Sequence, residues 1–407
     1  MQPMLTMRHA LIPLVVLTLC ACSSDDDSAG ATATHPEGGV DSGADVATAD
    51  AGDSSPTEGG QPDAASDSAI DSAPDSTIDA QPDAPPPEPA IHYVGRHETT
   101  GNEVRFGWSG AGLVARFSGT GVQVRMNDPS GFFTVVVDGV VQPVLNTQPG
   151  EQTYDLASGL SDAPHVVEMY RRAEGFFGVS TVFDVIVQGT LLSPPPVQRR
   201  IEVIGDSITC GYGNLGADQY CDFSADTEDH YQTYAAIAAR VVGAELSAVA
   251  WSGKGMLFNY GDDTQEPMSE LYPRTIPTEA GDWSFGWQPD AVVINLGTND
   301  FSTDGDPTET QFVSTYVTFL EKMRARYPNA MVMCTVAPLL GGDDEVRAVS
   351  YVQSAVSQRN AAGDDDVKWI DLRVDPTGYG CDWHPSVATH EQMAQLLVAE
   401  LESALGW

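Results

Sequence analysis

Hydrophobic and polar positions follow two different patterns along this chain, and the change comes near residue 200. Between residues 91 and 189, short β-branched and aromatic runs are separated by Gly, Asn, Asp or Pro, which is typical of antiparallel strands. Asp138-Gly139, between two runs of valine, indicates a tight hairpin. The pattern predicts a β-sandwich domain at 91–190, with strand runs at 112–117, 122–126, 132–138, 165–170 and 179–187.

Beyond a Pro-rich linker at 191–199, short apolar runs alternate with longer segments of helical period. This alternation predicts a parallel sheet with helices on both faces, which is a three-layer α/β/α domain at 200–407. Its predicted strands lie at 201–204, 246–250, 291–296, 331–336 and 367–372, and its predicted helices at 231–242, 308–327, 346–359 and 387–405.

Three of these apolar runs end in the small, polar motifs GDS, SG and GTND, and a fourth motif, GCDWHPS, precedes the last predicted helix. The motifs contain, in order, Ser207, Gly253, Asn299 and His384. In open α/β sheets ligands bind beyond the carboxyl ends of the strands, so we expect these residues to meet in one site. A serine hydroxyl needs a neighbouring base to attack an acyl carbon, and histidine suits that role. Ser207 is therefore the candidate nucleophile and His384 the candidate base.

These four motifs, in this order over about 180 residues, resemble the SGNH or GDSL-type hydrolase superfamily. The resemblance implies an oxyanion hole formed by the backbone N–H groups of Ser207 and Gly253 and the side-chain amide of Asn299. The superfamily usually places its triad acid three residues before the histidine, where this chain has Cys381. The nearest acid is Asp382, so two alternatives stay open for His384. Either Asp382 orients the imidazole through a turn, or a backbone carbonyl does so.

The longer motifs GDSITCGYGN, SGKGM, INLGTND and GCDWHPS, preceded by a β-rich domain, resemble carbohydrate esterase family two over about residues 91–407. This resemblance implies a jelly-roll N-terminal domain and, in some members, a main-chain carbonyl that orients the histidine. It also implies an esterase that removes acetyl groups from xylan or glucomannan through an acetyl-enzyme, without a metal or another cofactor. Two alternatives are a lipase or thioesterase-type deacylase of a non-carbohydrate ester, and an inactive polysaccharide-binding surface protein.

Three tryptophans are candidates for stacking on a sugar: Trp251, Trp283 and Trp383. Trp283 lies in a stretch of little periodicity at 258–287, which predicts a long loop over the site. In the β-domain, Trp108, Phe132 and Phe133 could also bind glycan, but core packing is favoured there.

The N-terminus has the pattern of an exported lipoprotein. Arg8 precedes an apolar run at 10–19, which fits a signal peptide, and the ending Leu-Cys-Ala-Cys resembles a bacterial lipobox. We expect residues 1–21 to be removed and Cys22 to be lipidated, which anchors the protein to the cell envelope or surface. Residues 22–90 contain 13 Asp and 3 Glu but no Lys or Arg, and this composition predicts a disordered acidic tether.

The charge of the chain limits its classes of partner, and its cysteines limit the possible disulfides and metal sites. The net charge is −39, and residues 91–407 alone carry 42 acidic and 18 basic residues, which argues against nucleic acid as a partner. The four cysteines of the predicted folded part allow three pairings. We expect Cys210–Cys221 and Cys334–Cys381, with a buried free thiol at Cys210 as the alternative. Zinc is disfavoured, because no Cys or His pair has a suitable ligand spacing.

Overall fold

The computed structural model describes residues 90–129 and 131–407. The predicted signal peptide, the lipidation site at Cys22 and the tether up to residue 89 lie outside the described residues. Within the described ranges, no helix is both long enough and apolar enough to cross a membrane.

The N-terminal domain consists of antiparallel strands around one apolar core. The two predicted runs at 112–117 and 122–126 form a single 17-residue strand, because pairing with neighbouring strands continues through residues 118 and 119. The hairpin at Asp138-Gly139 is confirmed, with Val137 opposite Val140. The prediction of a β-domain is confirmed, whereas its jelly-roll connectivity stays a prediction. Its strands are β1 (Ile91–Val94), β2 (Glu98–Thr100), β3 (Glu103–Phe106), β4 (Gly112–Asp128), β5 (Phe132–Val137), β6 (Val140–Val141), β7 (Leu145–Asn146), β8 (Gly150–Ala157), β9 (Ala163–Arg171) and β10 (Ser180–Leu192).

The C-terminal domain is the predicted α/β fold. Its five strands are all parallel, in the order β12-β11-β13-β14-β15, and they are β11 (Arg200–Gly205), β12 (Glu245–Ala250), β13 (Ala291–Asn295), β14 (Met331–Thr335) and β15 (Val367–Trp369). Apolar residues of two helices fill the core on one face of this sheet, and those of two others fill the opposite face. The helices are α1 (Ser207–Cys210), α2 (Tyr234–Val242), α3 (Met268–Leu271), α4 (Glu309–Arg326), α5 (Gly342–Ala361) and α6 (Val387–Leu405), with α4 and α5 on one face and α2 and α6 on the other.

Buried polar side chains join the two domains. The Arg96 guanidinium of the N-terminal domain donates to the Arg274 carbonyl at 3.1 Å and to Glu202 of β11 at 3.3 Å. The indole N–H of Trp108 donates to the Thr275 carbonyl at 3.0 Å. The Trp108 ring is fully buried, which agrees with the prediction that this residue packs in a core. Residues 274 and 275 of the 258–287 loop therefore contact the N-terminal domain. The start of the same loop lies beside the candidate site, because the Tyr260 N–H donates to the Gly253 carbonyl at 2.8 Å.

The predicted cysteine pairing is wrong. The disulfide joins Cys221 to Cys381, while Cys210 and Cys334 are buried free thiols. Cys334 lies within β14 and packs in the apolar core, whereas Cys210 lies in α1, and its buried thiol is close to the carboxyl groups of Glu174 and Glu228. Cys221 and Cys381 lie on two loops that cross, 160 residues apart in the chain, which no local pattern reveals.

Candidate active site

The structure places Ser207 at the turn between β11 and α1. Asp206 caps this short helix by accepting the N–H of Ile208 at 3.1 Å, and Ser207 is its first residue, 6% exposed. The turn needs glycine at position 205, because a Cβ there would lie 2.1 Å from the hydroxyl oxygen of Thr209. The sharp turn therefore presents the Ser207 hydroxyl at the carboxyl edge of the sheet.

His384 meets Ser207 from the loop before α6. Its Nε2 lies 2.8 Å from Ser207 Oγ, and its Nδ1 lies 3.1 Å from the backbone carbonyl oxygen of Asp382. With the proton on Nδ1, that nitrogen donates to the carbonyl and Nε2 accepts the serine hydroxyl. Burial lowers the pKa of His384 below its ordinary value of 6.5. At neutral pH the imidazole is therefore in the neutral form that a general base requires.

The carboxylate of Asp382 does not reach the imidazole. It accepts the Tyr212 hydroxyl at 2.9 Å instead, so of the two alternatives for orienting His384 the structure has the carbonyl. The reason is a backbone turn with φ of +51° at Asp382 and +64° at Trp383, a conformation that non-glycine residues adopt at some cost. The Cys221–Cys381 disulfide and the bond from Cys381 N–H to the Gly213 carbonyl, 2.9 Å, hold this turn in place.

Gly253 lies on a loop at residues 251–258, the Gly253 loop, which follows β12. Its φ is +77°, and an added Cβ would come no closer than 3.9 Å to another residue, so the backbone conformation and not crowding requires glycine. Among the described residues, the N–H of Gly253 donates to no acceptor. The Asn299 side-chain amide donates one N–H to the Lys254 carbonyl at 3.0 Å, which leaves its second N–H for a ligand.

Two buried carboxyl groups anchor the Gly253 loop. Asp300 accepts three successive backbone N–H groups from the end of the loop, those of residues 256, 257 and 258, each at 2.8 Å. Burial raises the pKa of Asp300 to about 6. At the start of the loop, Glu174 of the N-terminal domain accepts the backbone N–H of Ser252 at 2.7 Å and also its hydroxyl.

The three candidate tryptophans lie in different surroundings. Trp383, next to His384, is 48% exposed and has its ring edge-on to Tyr379. Trp251 is partly buried between aromatic rings of the N-terminal domain. Trp283 lies against His97 and close to the start of β12, at the amino edge of the sheet, so it does not join the site at the carboxyl edge. Its predicted place in the substrate site is wrong, because its ring packs at the opposite edge of the sheet, against His97 of the N-terminal domain.

Sequence reasoning missed several residues around the Ser207–His384 pair. Tyr212 stacks on Phe223 with ring centroids 3.6 Å apart and lies 4.3 Å from the His384 ring. Phe176 of the N-terminal domain is 45% exposed and lies 6.5 Å from Trp251. Tyr212 stands inside the GDSITCGYGN motif and could have been found there. Phe176, like Glu174, comes from the other domain, about thirty residues before Ser207, where no local pattern marks it.

Comparisons with known proteins agree with this geometry. The N-terminal domain model of carbohydrate esterase 2 matches residues 93–196, and the GDSL-like lipase/acylhydrolase family matches residues 203–392. The chain is 38% identical over 326 residues to the cellulase/esterase CelE of Acetivibrio thermocellus, although this covers 78% of the chain and only 40% of that protein. It is 27% identical over 331 residues to an acetylxylan esterase / glucomannan deacetylase of Cellvibrio japonicus, covering 79% of the chain and 90% of that protein.

A solved structure extends the match to the whole fold. The family two carbohydrate esterase from Clostridium thermocellum, in complex with cellohexaose, superposes with a TM-score of 0.75 at 38% identity. The match covers 78% of this chain and 99% of that one. With both domains matched at this identity, the chain belongs to carbohydrate esterase family two and is a carboxylic-ester hydrolase.

Proposed function

We propose that this enzyme removes O-acetyl groups from a hemicellulose such as xylan or glucomannan. The observation that carries the proposal is the 2.8 Å contact between Ser207 Oγ and His384 Nε2, beside the exposed ring of Trp383. The relative from Cellvibrio japonicus, named for acetylxylan and glucomannan deacetylation, supports the choice of substrate.

The chemistry follows from the hydrogen bonds of the pair. His384 takes the hydroxyl proton as Ser207 Oγ attacks the acetyl carbon, and the carbonyl of Asp382 stabilises the imidazolium by accepting from Nδ1. The acetyl oxygen becomes negative in the tetrahedral intermediate. The backbone N–H groups of Ser207 and Gly253 and the free N–H of Asn299 donate to it.

The intermediate collapses when the C–O bond to the sugar breaks and His384 returns the proton to the sugar oxygen. This leaves an acetyl group on Ser207. His384 then takes a proton from a water molecule as the water oxygen attacks the acetyl carbon. The bond from that carbon to Ser207 Oγ breaks, His384 returns the proton to Oγ, and acetate leaves. Each proton and each charge in the cycle is assigned to a group of this chain, so the proposed cycle includes no metal or cofactor.

The substrate proposal is tested by acetate release from acetylated xylan and acetylated glucomannan, with Ser207→Ala as the control. We expect release from at least one polymer, and a loss of about 10⁴-fold or more in the variant. A panel of aryl esters of increasing chain length should show turnover that falls beyond the acetyl ester. Turnover of long esters without release from either polymer would favour a non-carbohydrate deacylase, and no turnover at all would favour the binding protein.

A role for Trp383 in holding the sugar is tested separately. Its exposed ring, next to the base, is placed to stack on the sugar that carries the acetyl group. We expect Trp383→Ala to raise KM for the acetylated polymer and to leave kcat on 4-nitrophenyl acetate within about twofold. An equal loss on both substrates would show that the tryptophan supports His384 and not the sugar.

We also propose that the N-terminal domain is a jelly roll and that the protein is exported and anchored through a lipid on Cys22. The antiparallel strands and the CE2 N-terminal match support the jelly roll, and the Leu-Cys-Ala-Cys motif supports the anchor. In a bacterial host, the full chain should partition into the detergent phase of Triton X-114 and incorporate labelled palmitate. Cys22→Ala should abolish both, and unchanged partitioning would refute the anchor.

A further inference from the structure

Glu174 belongs to the N-terminal domain, but its carboxylate contacts the Gly253 loop of the other domain. It comes three residues after β9, immediately before the helical turn Gly175–Phe177, and its side chain is fully buried. One carboxylate oxygen accepts the N–H of Ser252 at 2.7 Å, and the other accepts the Ser252 hydroxyl. Both donors of Ser252 are therefore bound by one side chain from outside the α/β domain.

The surroundings of Glu174 favour its role as an acceptor. The Glu228 carboxyl group and the Cys210 thiol lie close to it, with the three side chains within 4.8 Å of one another, and Glu228 accepts the backbone N–H of Glu174 at 3.2 Å. Burial raises the pKa of Glu174 to about 7 and that of Glu228 well above its usual range. Arg171 is the cation of this cluster, and its charge lowers the pKa of Glu228. Both oxygens of Glu174 accept hydrogen bonds from Ser252, so the geometry gives Glu174 the role of an acceptor.

The contact matters because of the residue that follows Ser252. The next N–H along the chain is that of Gly253, which our proposed function assigns to the oxyanion hole. Glycine has the greatest backbone freedom of any residue, so this N–H keeps its direction only if its neighbours are held. A displacement of about 1 Å at such a donor can cost about a hundredfold in rate.

We propose that Glu174 is a positioning residue that orients the Gly253 N–H towards the acyl oxygen, so that the N-terminal domain completes the oxyanion hole. The inference rests on the proposed role of Gly253. Glu174 does not touch the substrate, and it acts through Ser252.

A metal ion is the competing explanation for two carboxyl groups and a thiol in one place. Each oxygen of Glu174 already accepts a hydrogen bond from Ser252, and one oxygen of Glu228 accepts the backbone N–H of Glu174. Burial and the neighbouring carboxyl groups raise the pKa of Cys210 well above its ordinary value, which disfavours the thiolate that a metal would bind. The hydrogen bonds thus favour an anchor for the loop.

The test compares Glu174→Ala and Glu174→Gln in the full protein, with 4-nitrophenyl acetate as the substrate. We expect Glu174→Ala to lower kcat by roughly 10- to 100-fold with KM within about twofold, because a positioning defect affects the transition state more than binding. Glutamine keeps one oxygen to accept the Ser252 N–H, so Glu174→Gln should recover part of the loss. The matched control is Glu168→Ala, on β9 of the same domain, where the carboxylate accepts the Tyr170 hydroxyl at 2.6 Å.

A tetrahedral adduct gives a second measurement that a purely structural role would not change. An alkylboronic acid binds Ser207 as a tetrahedral species with an oxygen in the oxyanion hole, so its affinity for Glu174→Ala should fall in parallel with kcat. Unchanged boronate affinity, an equal loss in Glu168→Ala, or a rise in KM alone would overturn the proposal. So would one equivalent of bound metal in the wild-type protein that Glu174→Gln loses.

The proposed function and this inference fail in different ways. If acetate release or aryl ester turnover persists in Ser207→Ala, the proposed nucleophile is wrong whatever Glu174 does. If turnover requires Ser207 but Glu174→Ala keeps full kcat and boronate affinity, the function stands and the positioning role is refuted.

Discussion

The two halves of this active site are held in different ways. The half that moves the proton, Ser207 and His384, is positioned by backbone groups and a disulfide, all within the α/β domain. The half that we propose stabilises negative charge, the Gly253 loop, is held by buried carboxyl side chains, and one of them, Glu174, comes from the N-terminal domain.

The difference shows which half depends on domain packing. A backbone carbonyl and a disulfide keep their positions as long as the local turn is intact. A carboxylate that reaches across an interface holds the loop only while the two domains stay packed through contacts such as that of Arg96 with Glu202. We therefore expect disturbances of the interface to affect the charge-stabilising half first.

The largest expected effect within this comparison comes from Asn299→Ala. The variant removes the proposed oxyanion donor and also the 3.0 Å bond that holds the Lys254 carbonyl. We expect kcat to fall by about 10² to 10³-fold with little change in KM, measured on 4-nitrophenyl acetate. If Asn299→Ala and Glu174→Ala act on the same donor, their combined loss should be smaller than the product of the two. A combined loss equal to the product of the two single losses would mean that the two residues act independently and that the Gly253 loop is not held as one unit.

The pH profile tests which of the two halves controls activity near neutral pH. Burial lowers the pKa of His384 below 6.5, and the neutral base is lost as the pH falls through that pKa. We expect kcat/KM to be constant above it and to fall about tenfold per pH unit below it, with a midpoint under 6.5. Burial raises the pKa of Glu174, so a midpoint above 6.5 that disappears in Glu174→Gln would place the controlling group in the other half.

Loss of the disulfide tests how the proton-moving half is held. Cys221→Ala releases the turn that directs the Asp382 carbonyl to His384, so we expect kcat to fall several-fold and the free energy of unfolding to fall by about 2–4 kcal/mol. Thermal unfolding and aryl ester kinetics measure the two effects. Dithiothreitol should reproduce them in the wild-type protein and change nothing further in Cys221→Ala. An activity loss without loss of stability would contradict this account.

The smallest effect is expected for Asp382→Ala. Its carboxylate only accepts the Tyr212 hydroxyl, and the carbonyl that serves His384 remains in the variant. We expect less than about a fivefold loss of kcat, against about 10⁴-fold for Ser207→Ala. Tyr212→Phe, which removes the other partner of the same bond, is the matched control. Equal losses in Asp382→Ala and Ser207→Ala would restore the carboxylate as a member of a full triad.

Much of the fold could be predicted from local pattern. The last helix begins and ends at the predicted residues, 387 and 405, because Ser386 caps its start and Gly406 follows its end. Residues 367–372 were predicted as a strand, but the strand ends at Trp369, and the last hydrogen bond to β14 runs from the Ile370 N–H to the Cys334 carbonyl at 2.9 Å. Local hydrophobicity marks an apolar run, whereas strand ends depend on whether a partner is present.

The sequence by itself determined the alternation of strands and helices and the convergence of Ser207, Gly253, Asn299 and His384 at one edge of the sheet. Parallel strands must end on the same side, so motifs at strand ends meet whatever the details of packing. Only the tertiary structure decided the partner of Cys381, the carbonyl that orients His384 and the approach of Glu174 to Ser252. These contacts join segments up to 160 residues apart or depend on one backbone turn, and their energies depend on three-dimensional proximity that no local residue pattern encodes.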